Sequence, residues 1–303
     1  MRSVKLLVTL GLVAAAAAGC GDQRAPVGNR VHDVDTTGRA RRVATAWEGS
    51  EAARVWRRGY YPLGDAVQLP DGAFHDDADK RAYATQNFEL RALLPDPAKK
   101  QAKVRWRDGD SLTLPLASAR EAYATLARGG NSGPALTVTA ARLGEMTVLT
   151  SRGTATVPAW LFTVKGYDTP LKRVAVTPSE VPRSPIGAVP ERTDELMPLV
   201  GLDTIARDGR TLTVRAEHGG CDDGPAIDVL ETEGSVVFSA SIRGTSDGPC
   251  TSESRVEKVT VKLRRPVDDR ILLDAFTGGP FLPPGSPPEP HSDRSGAARG
   301  RPR

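Results

Sequence analysis

Apolar and polar positions alternate along most of this chain, and a helical period shows in only two places. Leu136–Thr139, Met146–Thr150, Arg173–Val176, Thr211–Ala216 and Val256–Leu263 read as strands that bury one face. Asp108-Gly109, between Lys103–Arg107 and Leu112–Leu114, predicts a hairpin, because this dipeptide accepts the positive φ of a tight turn. Arg152-Gly153, Asp208-Gly209 and Glu233-Gly234 mark further turns, the last between Ile227–Glu231 and Val236–Ile242. Val157–Val164 is a strand with Pro158 near its start, a residue that suits an edge or a first position.

Helical spacing appears over Val43–Arg58, weakened at Gly49-Ser50, where Ser50 is placed to cap a second short helix. Trp47 and Trp56 share its apolar stripe and read as core anchors. Ser118–Ala127 is the second helical stretch. Ser118 and Glu121 have capping-box spacing, and Gly129-Gly130 stops the helix. Between these helices, residues 62–94 read as loop and short strand, with Phe88, Leu90 and Ala92 on one face.

Pro178, Pro182, Pro185, Pro190 and Pro198 interrupt the pattern and predict a linker over 178–198. The organisation that follows is an N-terminal α+β domain (38–177) and a C-terminal β domain (199–282), with a disordered basic tail (283–303) carrying Arg294, Arg299, Arg301 and Arg303. The fold class is mainly β with minor α: two β-rich modules, sandwich- or roll-like, the first carrying two helices. The order of features in 136–176 returns in 212–261, which raises an internal repeat.

The first twenty residues change this picture from a fold to an address. Arg2 and Lys5 precede an apolar run from Leu6 to Ala18, followed by Gly19 and Cys20. The run has signal-peptide length and falls short of the ~20 apolar residues of a membrane span. Small residues before Cys20 resemble the bacterial lipobox, in which the thiol takes a lipid and becomes the first residue after cleavage; Ala17 stands where that pattern prefers Leu. Residues 21–37 then form a polar, flexible tether. The expected location is the outer face of the cytoplasmic membrane, with the lipid anchor as the membrane contact.

Charge and cysteine content narrow the function classes. The chain has 41 basic and 37 acidic residues and no basic stripe interleaved with aromatics, which argues against nucleic acid. Export implies an oxidising compartment, where Cys221 and Cys250 are expected to pair rather than to bind zinc, for which His218 alone is too few extra ligands. Gly244–Gly248 fits G-x-S-x-G around Ser246, and His218-Gly219-Gly220 lies upstream. Pro249 and Cys250 follow where the serine-hydrolase elbow needs a helix, so turn residues are the preferred reading. His75, Asp76, Asp77 and Asp79, and His218 with Asp222 and Asp223, are the densest clusters of metal-ligating types. Neither has EF-hand spacing, and no cofactor is expected.

Residues 150–166 (TSRGTATVPAWLFTVKG), the Cys221 and Cys250 pair, and residues 265–278 (RPVDDRILLDAFTG), together with the lipobox, resemble a group of actinobacterial lipoproteins of unknown function. The resemblance implies an exported, lipid-anchored protein and carries over no catalytic residue. The reading is a non-enzymatic binding or structural module with an unknown protein or envelope ligand; the alternative is a hydrolase acting on the cell envelope.

Overall fold

The computed structural model describes residues 35–245, 251 and 253–281. The leader with Cys20, the tether up to residue 34, Ser246, Cys250 and the basic tail lie outside them. The described residues include four helices: α1 (Thr36–Trp47), α2 (Glu51–Arg58), α3 (Asp77–Ala84) and α4 (Ala119–Leu126). Interleaved with them and following are β1 (Val67–Gln68), β2 (Phe88–Leu90), β3 (Gln101–Trp106), β4 (Ser111–Pro115), β5 (Leu136–Thr150), β6 (Gly153–Val164) and β7 (Leu171–Val174). The C-terminal strands are β8 (Leu199–Ile205), β9 (Thr211–Gly219), β10 (Pro225–Glu231), β11 (Ser235–Ile242), β12 (Ser254–Lys262) and β13 (Ile271–Asp274). The fold is mainly β with minor α, in two β-rich regions. No helix among the described residues is long and apolar enough to cross a membrane.

The caps form where the sequence places them. Ser50 accepts from the Ala53 N–H at the start of α2, and Ser118 and Glu121 close a reciprocal capping box on α4. Asp76 caps α3, a helix the hydrophobic pattern does not announce, because Ala82 is its sole buried residue. Thr36 starts α1 one turn and more ahead of the apolar stripe, behind an Asp35 cap.

The first β region is a seven-stranded sheet built on the β5–β6 hairpin, which turns through Ser151-Arg152 with Gly153 at φ 82°. The two alternating runs read as separate strands are one strand, β5, with a bulge between Val138 and Ala140. β6 is central rather than an edge. Its early residues pair with β3 and its later ones with β7, and Pro158 falls in the gap between those two partners. The missing proline N–H therefore interrupts no ladder, while the Pro158 carbonyl accepts from the Ala175 N–H at 2.9 Å. α3 and α4 cover this sheet, and Tyr60, Trp106, Trp160 and Phe162 fill the core.

The second β region is a sandwich of two three-stranded sheets, β12-β9-β8 and β10-β11-β13. Leu212, Val214, Phe238, Leu272 and Phe281 meet between them. α1 and α2 lie on the outer face of the β10-β11-β13 sheet, where Val43, Trp47 and Trp56 pack on Val237, Ile271 and Leu273. Both tryptophans are thus core anchors, but for the C-terminal sheet. The proline-rich stretch 178–198 joins the same core through Val181, Ile186 and Val189. The described residues fall in one compact unit.

The two halves do not share a topology. β5 continues unbroken into its hairpin with β6, whereas the equivalent positions in the second half are divided between β9 and β10, in different sheets. The recurring pattern reflects period-two alternation with glycine turns.

Candidate functional site

Where the β5–β6 turn meets the sandwich, the chain leaves a cleft of about 400 Å³, within the range of small-ligand pockets. Leu149 to Thr154 form one side, the β8–β9 turn (Ile205 to Gly209) another, and Val267 to Leu272 the floor. Trp56, Leu63 and Phe281 complete the walls. Trp56 is held by a stack on Tyr61 (4.0 Å between centroids, 8° between planes), whose hydroxyl donates to the Glu180 carbonyl at 2.9 Å. Phe281 sits edge-on to Phe238 at 5.2 Å and is fixed by its N–H to the Leu272 carbonyl.

Few polar groups enter this apolar space, and one has no partner. The Thr150 hydroxyl donates to the Gly153 carbonyl (2.7 Å) and accepts from Trp106 Nε1 (3.0 Å) and the Arg152 N–H (3.1 Å). Ser151 Oγ, next to it, is buried and without a hydrogen bond. A buried hydroxyl left unpaired costs about 1–3 kcal/mol. Arg207 and Asp268 stand at the mouth, exposed and in no ion pair among the described residues. Asp268 has φ 44°, a left-handed conformation unusual for a non-glycine residue.

The floor is held by a buried ion pair. Arg270 donates to Glu231 at 2.9 Å and to the carbonyls of Arg265 (2.6 Å) and Pro266 (2.7 Å), which fixes the loop that carries Asp268. Burial opposes charge on Glu231, but the Arg264 and Arg265 N–H groups and the Arg270 guanidinium outweigh it and hold the carboxyl at about 2. The cleft can therefore take a compact, largely apolar group.

The residues singled out from sequence lie elsewhere. Asp76 is the cap of α3, Asp79 accepts from the Tyr167 hydroxyl at 2.5 Å, and His75 stacks on Tyr167 at 4.2 Å. His218 is buried on β9, with Nδ1 2.9 Å from the Gly219 carbonyl and Nε2 3.6 Å from Glu257. Asp222 accepts from the Gly219 N–H at 2.6 Å, bracing the turn that holds Cys221. No hydrogen bond or ion pair among the described residues joins the His75 and His218 clusters, and no group of three or more His, Cys, Asp or Glu there could hold a metal ion. Sequence reasoning passed over Ser151 and Asp268. The only signal for them is that both lie in the two stretches that carry the lipoprotein resemblance. No protein-family model, curated protein or solved structure matches the chain.

Proposed function

We propose that this chain is a lipid-anchored extracytoplasmic binding module, tethered through Cys20 to the outer face of the cytoplasmic membrane, with its ligand site in the cleft beside Ser151. The observation that carries the reading is the largely apolar cleft of about 400 Å³, a ligand-sized space walled by Trp56, Leu63 and Phe281. Of the charged groups around the cleft, Glu231 and Arg270 are tied to each other beneath it, and Arg207 and Asp268 stand exposed at its mouth; none of these four is a buried free acid or base, which favours binding over proton transfer. The leader and lipobox support the anchor.

A disulfide between Cys221 and Cys250 belongs to the same reading. Gly219 pairs with Ser254, the Gly220 N–H donates to the Glu253 carbonyl, and the Asp223 N–H donates to the Gly244 carbonyl. These bonds bring the chain on either side of Cys221 beside the chain that leads into and out of 246–250.

The test has two arms. Envelope fractionation of wild type against Cys20→Ala should move the protein from membrane to soluble fraction; unchanged fractionation defeats the anchor. Binding of N-phenyl-1-naphthylamine, a neutral apolar fluorophore with one N–H, should be saturable and should fall at least tenfold in Ala206→Trp, which fills the cleft from its exposed rim. Equal binding by both proteins defeats the cleft.

A further inference from the structure

The β5 strand has one edge of which part is paired with no strand among the described residues. Its inner side pairs with β6 from Ala140 to Thr150. On its outer side the Val138 carbonyl accepts from the Arg91 N–H and the Leu149 carbonyl from the Leu63 N–H, and these bonds bound the free run. Thr150 and Gly153 flank a two-residue hairpin turn, so the even positions 140–150 bond inward to β6 and the odd ones face outward. The N–H and C=O groups of Ala141, Leu143, Glu145 and Thr147 therefore point away from the sheet, and no strand among the described residues pairs with them.

This edge is only partly protected. The free run has no proline or lysine, its charges are Arg142 and Glu145, and its bulge lies at one end. At its centre Leu143 is 43% exposed, an apolar side chain among small and polar neighbours. The edge is also self-complementary in one register. Antiparallel pairing of Leu143 with Leu143 of a second copy joins the outward-facing residues symmetrically, Ala141 to Glu145 and Glu145 to Ala141, with about six backbone hydrogen bonds. The same register sets Arg142 opposite Gly144, which has no side chain to obstruct it. A shift in one direction places Arg142 opposite Arg142; a shift in the other places Glu145, already bound to Arg105 at 2.7 Å, against Leu143.

We propose that two copies of this chain join along β5, antiparallel, about a two-fold axis through Leu143, so that the two seven-stranded sheets become one. The interface is isologous, each copy offering the same edge.

Cysteine crosslinking on whole cells tests both the contact and its register. Residues opposite each other in a hydrogen-bonded antiparallel pair have Cα atoms about 5.5 Å apart, within disulfide range. Leu143→Cys, exposed to a mild oxidant, should give at least tenfold more dimer on a non-reducing gel than wild type. Glu145→Cys should give no more than wild type, since it faces Ala141. Adding Leu143→Ser in place of cysteine reports whether loss of the leucine itself disturbs folding. A monomeric Leu143→Cys protein that accumulates like wild type overturns the proposal. So does an adduct of a mass other than twice the chain, or equal crosslinking at 143 and 145.

Discussion

Arg39 in α1 donates through Nε to the carbonyl of Ala275, 236 residues further on, at 2.8 Å, with 8% of the residue exposed. A second bond, from Nη2 to the Gly187 carbonyl at 2.6 Å, ties the proline-rich stretch to the same guanidinium. Trp47, from the other end of the helix, donates to the Gly278 carbonyl at 2.7 Å. These bonds fasten α1 to the turn that follows β13. Arg39→Met keeps most of the aliphatic volume but takes the donor from the buried Ala275 carbonyl and from the part-buried bond to Gly187. The expected loss is about 3 kcal/mol, read as a lower urea midpoint at unchanged slope. A midpoint equal to wild type would show that water restores both bonds.

Gly59 is required by contact rather than by conformation. A methyl group built on it meets the Tyr61 ring at 2.3 Å, and Tyr61 is fully packed beneath Trp56. Gly59→Ala should cost about 2 kcal/mol through overpacking. Because Trp56 is a wall of the cleft, the same substitution should weaken fluorophore binding, whereas Arg39→Met should leave binding of the folded fraction intact. Parallel binding isotherms on the two variants separate a change in the cleft from a change in stability.

Local chemistry was readable wherever it involves near neighbours. The Ser118–Glu121 capping box, the Asp108-Gly109 turn and the burial of Trp47 and Trp56 all follow from spacing within one or two turns of chain. What spacing cannot reveal is the partner. The stripe of α1 and α2 announces burial, yet nothing in it selects β11 and β13 over the nearer β3. The middle of β5, Ala140 to Glu145, has no buried residue, so its alternation fades and one strand reads as two. Parallel pairing of β13 with β11 and of β2 with β5 has no turn signal, because parallel strands are not joined by tight turns. The cleft was invisible for the same reason: the burial of Ser151 arises from three segments brought together by the fold.

Asp274 should make the protein more stable in mild acid. Burial pushes its carboxyl up to about 6, against stabilising bonds from the N–H groups of Phe276 (3.0 Å) and Leu199 (3.5 Å). Arg39 lies near enough to feel its charge. Since the folded value stands above the ordinary carboxylate value of 3.8, the folded state binds the extra proton between them. Stability from this group is therefore full below about pH 4, falls as pH rises to 6 and is level beyond. Asp274→Asn should flatten urea midpoints between pH 4.5 and 6.5; a wild-type slope retained in the variant would assign it to another group.

Glu231 should act in the opposite sense and lower on the scale. Its folded value of about 2 lies below the ordinary 4.5, so its contribution is complete above pH 4.5 and lost as pH falls toward 2. Against the cost of burial, the physical source is the backbone N–H of Arg264 at 2.7 Å and the ion pair with Arg270, in which the Glu231 and Arg270 side chains are 7% and 4% exposed. Glu231→Gln removes the charge but keeps the shape and leaves Arg270 buried without its counter-ion, a loss of about 3–5 kcal/mol at pH 7. The variant should unfold at lower urea at pH 7 but show a smaller further decline from pH 5 to 3 than wild type. Because Arg270 also bonds the Arg265 and Pro266 carbonyls beneath the cleft, fluorophore affinity should fall with stability in this variant. Retained affinity in Glu231→Gln would mean that the loop carrying Asp268 keeps its position without the ion pair.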